Sequence, residues 1–211
     1  MARTILILLL AAALGVAALA LVPGRIDPAA WHPPEAPPLA GAWAPNERLR
    51  EADLLAKGRI YGPEDVAVDG DGRVYGGTQD GLILRVLGDG TVELFAETGG
   101  RPLGLHFDAA GHLIVTDAWR GLLSVSPAGE ITVLATEADG LPFGFTDDLD
   151  IARDGTIYFS DASSRFGQDE YVLDLLETRP HGRLLAYDPA TGNTRTLLDG
   201  LYFANGVALS D

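Results

Sequence analysis

A repeated frame of about 40 residues constrains the fold more than any other feature of this sequence. Turn glycines at Gly72, Gly111 and Gly155 lie 39 and 44 residues apart, and short alternating apolar runs flank each of them. The residues six positions after these glycines also correspond: Thr78, Asp117 and Asp161. Short alternating runs between glycine turns indicate antiparallel strands, and four strands in about 40 residues are typical of a β-propeller blade. The frame therefore predicts an all-β propeller.

The blade count follows from the same frame. Residues 46–211 hold three blades, and the first strand of a fourth begins at Asn205. Propellers close into rings of about four to eight blades, which leaves no long edge exposed. We therefore expect a C-terminally incomplete copy of a propeller. A β-sandwich is the alternative, and it accommodates the strands but not the repeat.

The first 45 residues predict a membrane anchor and a stalk. Residues 5–22 form an apolar run of 18 residues, and as a helix this run spans about 27 Å, close to the thickness of the hydrocarbon core. Residues 1–22 thus predict an uncleaved signal-anchor in a single-pass membrane protein. A cleaved signal peptide is the alternative, with Ala18-Leu19-Ala20 as its cleavage site. Both place the propeller on the periplasmic or extracellular side, after a proline-rich stalk over residues 23–45.

Composition excludes several classes of function. The net charge is −15, from 30 acidic and 15 basic residues, so the chain lacks the positive field that nucleic-acid binding requires. There are no cysteines. Disulfide scaffolds, cysteine-ligated zinc and thiol nucleophiles are therefore excluded together, and the redox compartment cannot be inferred.

One position of the frame predicts a metal site. In a propeller the innermost strand of every blade begins at one mouth of the central channel, so equivalent residues converge near the axis. That position holds Glu64, Leu103, Asp147 and Asn205. Three oxygen-bearing side chains meeting at a poorly solvated mouth favour a cation between them, and carboxylate and amide oxygens suit calcium or another hard divalent ion.

The next position of the frame predicts a second, deeper cation. It holds Asp65 and Asp148, with glycines in the other two blades. The alternative for all five polar residues is a structural one, in which they accept hydrogen bonds from nearby backbone amides at turns and strand starts.

Several stretches resemble the family of strictosidine synthase-like and adipocyte plasma membrane-associated proteins. They are Gly62-Pro63-Glu64-Asp65, Arg101-Pro102-Leu103-Gly104-Leu105, Phe159-Ser160-Asp161-Ala162-Ser163-Ser164, His181-Gly182-Arg183-Leu184-Leu185-Ala186-Tyr187-Asp188 and Phe203-Ala204-Asn205-Gly206-Val207. This family lies within the superfamily of SMP-30/gluconolactonase and paraoxonases. The resemblance implies a six-bladed propeller and a calcium-dependent hydrolase of small-molecule lactones, esters or aryl esters.

The resemblance also implies roles for single residues. Glu64 and Asn205 match ligands of the calcium at the channel mouth, whereas Asp147 stands where the family has asparagine. Asp65 and Asp148 match ligands of a second, structural calcium in the paraoxonases. Asp147 or Glu64 is then the candidate base that orients or deprotonates water, while the ion polarises the carbonyl group.

Two features leave the function open. Leu103 stands where paraoxonases have a histidine implicated in lactone hydrolysis, so a non-catalytic, membrane-tethered binding propeller is the alternative function. Strictosidine-type condensation is less favoured, because the glutamate that promotes it in the plant enzyme belongs to a blade beyond Asp211.

Residues 165–180 expand the third blade, and residues 168–177 predict an amphipathic helix that acts either as a substrate lid or as a packing element.

Overall fold

Three four-stranded antiparallel sheets form most of the regular structure in the computed structural model, which describes residues 24–210. The first sheet contains β1 (Val66–Val68), β2 (Val74–Gly77), β3 (Leu82–Val86) and β4 (Val92–Glu97). The second contains β5 (Pro102–Phe107), β6 (Leu113–Asp117), β7 (Gly121–Val125) and β8 (Ile131–Ala135). After a two-stranded hairpin of β9 (Glu137–Ala138) and β10 (Leu141–Pro142), the third contains β11 (Thr146–Ile151), β12 (Ile157–Asp161), β13 (Gly182–Asp188) and β14 (Asn193–Leu201).

Each four-stranded sheet is a simple meander, so every strand pairs with its neighbour in the chain. The innermost strand β5 contacts β1 and β2 of the first sheet, and β11 contacts β5 and β6 of the second. This is the arrangement of adjacent propeller blades, and it confirms the predicted all-β class. Closure into six blades stays a prediction, because the described residues contain three.

The repeat in sequence is also a repeat in backbone conformation. Gly72, Gly111 and Gly155 have φ angles of 78°, 83° and 88°, the left-handed region that glycine adopts without strain. The N–H of each donates to the carbonyl oxygen of the residue three positions earlier. These three turns join the first two strands of their blades at the end opposite the channel mouth.

The longer interval before the third turn has a structural explanation. The hairpin of β9 and β10 lies between the second and third blades, and Asp139 and Gly140 form its two-residue turn. Both residues have positive φ, 53° and 78°, as the turn of a tight hairpin requires. The hairpin therefore accommodates the extra residues without disturbing the frame.

Apolar side chains fill the two spaces between neighbouring blades. On β6, Leu113 and Val115 pack toward the first blade, whereas Ile114 packs toward the third. Every residue of β6 is buried, because blades cover both faces of this sheet. A smaller cluster at the mouth joins Leu103, Ala118, Phe145, Ala162 and Phe203.

The structure bears on the predicted stalk, of which it describes all but the first residue, and not on the predicted membrane helix. The predicted membrane helix at residues 5–22 lies outside the described residues, and between residues 24 and 210 no helix is long and apolar enough to cross a bilayer. The predicted stalk has one short 3₁₀ helix, Gly41–Trp43. Its two tryptophans, Trp31 and Trp43, are exposed.

The expansion of the third blade contains the predicted helix, which is shorter than the sequence suggests. Helix α1 spans Tyr171–Glu177, so the residues from Gln168 to Glu170 lie outside it. Thr178 ends the helix in a left-handed conformation, with φ at 54°. The helix lies beside the channel mouth, because Tyr171 lines the cavity there.

Candidate functional site

All five predicted ligands line one cavity at the channel mouth. Its volume is about 160 Å³, and its lining residues are Glu64, Asp65, Leu103, Gly104, Asp147, Asp148 and Asn205. A neighbouring cavity of about 300 Å³ shares Glu64, Asp147 and Asn205 and extends outward to helix α1. Side chains from all three blades and from the strand start at Asn205 therefore converge as the frame predicts.

Among the acids of the site, Asp147 has the pKa that is shifted most from its ordinary value. It is 4% exposed, and Asn205 Nδ2 donates to its Oδ2 at 2.8 Å. Burial is the main cause that raises the pKa of Asp147 to about 7, and the charges of Glu64 and Asp148 contribute the rest of the increase. The nearby guanidinium of Arg101 acts in the opposite direction. An ionised Asp147 is therefore poorly compensated by the protein itself.

Arg101 is the cation nearest to the predicted ligands. Its Nη1 donates to the carbonyl oxygen of Gly62 at 2.7 Å, and its Nη2 lies 3.4 Å from Glu64 Oε1. The side chain is almost fully buried, yet its Nε has no hydrogen-bond partner in the described structure. Arg101 therefore stabilises Glu64 only through one long contact.

Asp65 and Asp148 join neighbouring blades. Asp65 Oδ2 accepts a hydrogen bond from the Leu105 N–H at 2.9 Å, and Asp148 Oδ2 accepts one from the Val207 N–H at 2.7 Å. The two contacts are equivalent in the frame, since each links one blade to the innermost strand that follows it. Burial raises the pKa of Asp65, with a smaller contribution from the charge of Asp148. The structural alternative is thus observed for this pair, and their role in a deeper cation site stays a prediction.

Gly104 shows why the second blade lacks a carboxylate at this position. A Cβ atom there would lie 2.6 Å from Thr116 Oγ1 and 2.8 Å from the Cα of Asp148. The second and third blades approach each other too closely at this point for any side chain. Thr116 makes the link between these blades instead, donating to the carbonyl oxygen of Asp147.

Two buried aspartates hold the loops that carry the site. Asp161 Oδ1 accepts a hydrogen bond from the Phe145 N–H at 2.7 Å, and Asp117 Oδ1 accepts one from the Arg101 N–H at 2.9 Å. Each loop enters its innermost strand two residues before the axial position. The recurring aspartates found in the sequence are therefore positioning residues for the mouth.

Sequence reasoning missed the residues that form the wall of the outer cavity. Arg101, Phe145 and Phe203 each precede an axial residue by two positions, so the same frame contains the signal that would have found them. Gln168 and Tyr171 also line this cavity, but they come from the expansion beside helix α1 and have no counterpart in other blades.

The donor set suits a hard divalent cation only if ligands other than carboxylates contribute. Within residues 24–210, no three acidic, histidine or cysteine side chains are arranged to hold a metal by themselves. Calcium readily accepts amide oxygens, backbone carbonyls and water beside carboxylates. A turn of the Asn205 amide would replace its nitrogen by its oxygen next to Asp147 Oδ2, in the cavity that Glu64 also lines. The weakly compensated charge of these two carboxylates fits a bound cation.

Two family models match the chain. A model described as strictosidine synthase matches residues 147–211, and one described as strictosidine synthase-like, N-terminal, matches residues 41–86. Protein strictosidine synthase-like 4 of Arabidopsis thaliana is 44% identical over 84% of this chain and 49% of that protein. The adipocyte plasma membrane-associated protein of Rattus norvegicus is 37% identical over 92% of this chain and 56% of its own length. The chain thus spans about half the length of these curated relatives.

Solved structures support the fold. A gluconolactonase from Xanthomonas campestris superposes with a TM-score of 0.55 at 21% identity, over 66% of this chain and 48% of that one. A putative gluconolactonase superposes equally well, with a TM-score of 0.55 at 20% identity, over 74% of this chain and 57% of that one. At such identities the likeness concerns the propeller architecture alone.

Proposed function

The chain belongs to the family of strictosidine synthase-like and adipocyte plasma membrane-associated proteins, and on that premise we propose that it is part of a membrane-anchored, metal-dependent hydrolase of lactone, ester or aryl-ester bonds. The observation that carries this proposal is the convergence of Glu64, Asp147 and Asn205 on one cavity at the channel mouth. Calcium is the proposed ion, and residues 5–22 are the proposed anchor.

The residues of the mouth suit the chemistry of carbonyl hydrolysis. A bound divalent cation would polarise the carbonyl group and stabilise negative charge on its oxygen. Glu64, Asp147 and Asn205 would hold that cation, with Asp65 and Asp148 available to a second one. A carboxylate of Asp147 or Glu64 that is not fully engaged accepts the proton of the attacking water. Arg101, 3.4 Å from Glu64, supplies a further positive charge beside the reacting centre.

The outer cavity offers an apolar wall for an acyl or aryl group. The rings of Phe145 and Phe203 meet edge to face, with centroids 5.6 Å apart. Tyr171 extends this wall from helix α1. The combination of an aromatic wall and an acidic floor favours small esters or lactones over highly charged substrates.

One observation favours a non-catalytic binding propeller as the second candidate. Leu103 occupies the axial position of the second blade, is buried, and packs in the apolar cluster at the mouth. A group that exchanges protons is therefore missing from that position. A propeller that binds its ligand without cleaving it would retain the same cavity and the same cation.

The test is hydrolysis and calcium binding by the full chain. We expect turnover of phenyl acetate or a simple γ-lactone to require calcium and to stop with a chelator. Glu64→Gln keeps the shape of the side chain but removes its charge, so calcium affinity measured by thermal shift should fall at least about 10–100-fold, the loss that even an outer-shell change produces.

Glu130→Gln is the matched control, because Glu130 is exposed in the turn between β7 and β8. This variant should retain both activity and affinity. Hydrolysis that is insensitive to the chelator would contradict the proposed mechanism. Calcium binding without any turnover would instead favour the binding propeller.

A further inference from the structure

Helix α1 has the reverse of the usual amphipathic arrangement. Its acidic residues Asp174 and Glu177 are buried, at 2% and 0% exposure. Four of its five apolar residues face outward, with exposed fractions of 41%, 49%, 51% and 59% for Tyr171, Val172, Leu175 and Leu176, whereas Leu173 is half-buried. A soluble surface helix normally buries such a stripe. This cluster, the α1 apolar face, thus has no covering element within residues 24–210.

Buried polar contacts hold the helix in this orientation. Asp174 accepts a hydrogen bond from the Ser163 hydroxyl, and Glu177 contacts His181 Nε2 at 2.7 Å and Arg165 Nη1 at 2.8 Å. Turning the apolar stripe inward would break all of these contacts and leave two acids without partners. The buried contacts of the fold therefore keep the apolar face of the helix turned outward.

The residues that follow the predicted anchor are fastened to this helix. The Asp27 N–H donates to Glu177 Oε1 at 2.7 Å, and the Ala29 N–H donates to the carbonyl oxygen of Glu177 at 2.8 Å. Arg179 pairs with the Asp27 carboxylate at 2.6 Å, and Arg25 pairs with Glu170. Residues 25–29 thus form a strap across the helix, about 150 positions away in sequence.

The strap limits how far the helix can lie from the end of the apolar run. Two residues, Pro23 and Gly24, separate Val22 from Arg25, and a fully extended chain covers about 10 Å over these three Cα–Cα steps. If residues 5–22 cross a bilayer, its surface must therefore lie within about 10 Å of the strap. Trp119 and Tyr202 are also exposed at the mouth end, and both residue types favour membrane interfaces.

We propose that the α1 apolar face docks on the bilayer surface, so that the channel mouth opens toward the lipid. The net charge of −15 opposes binding to anionic lipid, so the contact is apolar and favours a zwitterionic surface. The inference rests on the predicted anchor and goes beyond the proposed hydrolysis. It implies that lipid-dissolved esters or lactones reach the cavity directly from the membrane.

The experiment uses the natural lack of cysteine to place single labels. The full chain is reconstituted in phosphatidylcholine vesicles, with a fluorophore at Leu175→Cys and, for comparison, at Ala109→Cys in the turn between β5 and β6. Quenching by nitroxide lipids should reduce the fluorescence at position 175, with the label about 5–10 Å inside the headgroup boundary. Position 109 should respond only to aqueous iodide.

A charged double variant tests the apolar face itself. Leu175→Glu combined with Leu176→Glu should abolish the lipid quenching of a label at Val172→Cys, while the melting temperature stays unchanged because both leucines are exposed. Leu94→Glu, at an equally exposed leucine on β4, should leave the quenching intact.

Three results would overturn the proposal. The first is a chain that does not float with the vesicles. The second is a label at 175 that behaves like the one at 109. The third is protection of position 175 that depends on protein concentration without lipid quenching, which would assign the face to a second copy. None of these readouts uses enzymatic activity, so a failure of the membrane-docking proposal can be distinguished from a failure of the hydrolase proposal.

Discussion

Replacing Asp147 with asparagine is expected to stabilise the ion-free protein at pH 8 by up to about 4 kcal/mol. Burial, followed by the charges of Glu64 and Asp148, raises the pKa of Asp147 from 3.8 to about 7. The folded state thus holds the proton more tightly than the unfolded state. The free-energy cost of this carboxyl begins as the pH rises above 3.8 and is complete above pH 7, at about 1.4 kcal/mol per pH unit.

Urea unfolding with a chelator present measures this effect. At pH 5 the gain from Asp147→Asn should be only about 2 kcal/mol, because the cost has grown over little more than one pH unit. Asp154→Asn is the control of opposite sign. A hydrogen bond from the Thr156 N–H lowers the pKa of this exposed carboxyl, so its removal should not stabilise the protein. Equal gains at pH 5 and pH 8 would contradict the assigned pKa.

Calcium should offset the gain in folding stability that Asp147→Asn has in the absence of the ion. An ion that binds only the folded state stabilises it in proportion to the logarithm of the ion concentration above Kd. The native chain should therefore gain more stability from calcium than Asp147→Asn does. A variant that gains as much as the native chain would show that the negative charge of Asp147 adds nothing to calcium binding.

The frame explains why so much of the site could be predicted. Because one side-chain position recurs in every blade, the alignment of Gly72, Gly111 and Gly155 places Glu64 and Asp147 at one mouth. The same alignment contains Arg101, but a residue two positions before the axial one has no chemical pattern of its own that would single it out.

The orientation of helix α1 and its contact with the strap could not be predicted from the sequence. The spacing of Tyr171 and Leu175 predicts a helix correctly, but periodicity cannot tell which face is buried. That depends on Asp27 meeting Glu177, a contact 150 positions apart that no local pattern encodes. Likewise, the frame predicts that Asp65 and Asp148 are neighbours, but only the structure shows that both already accept interblade hydrogen bonds.

Replacing Arg183 with methionine is expected to cost about 3–5 kcal/mol of folding free energy, the usual effect of breaking a buried ion pair from one side. Arg183 and Asp161 are 4% and 0% exposed, and Nη2 and Nε of the arginine donate to Asp161 Oδ2 at 2.6 and 3.1 Å. The remaining carboxylate would keep only its backbone donors, including Phe145. Urea unfolding monitored by circular dichroism measures the loss.

The consequences of this substitution should extend to the channel mouth, because Asp161 holds the loop that enters β11 and carries Asp147. Arg85→Met breaks the more exposed pair with Glu93 and should cost no more than about 1 kcal/mol. In the double variant Asp161→Asn with Arg183→Met, no unpaired buried charge remains, so the loss should be smaller than for Arg183→Met alone. A double variant whose loss equals the sum of the two single losses would show that the two residues contribute independently, and the explanation of the loss by an unpaired buried charge would then be wrong.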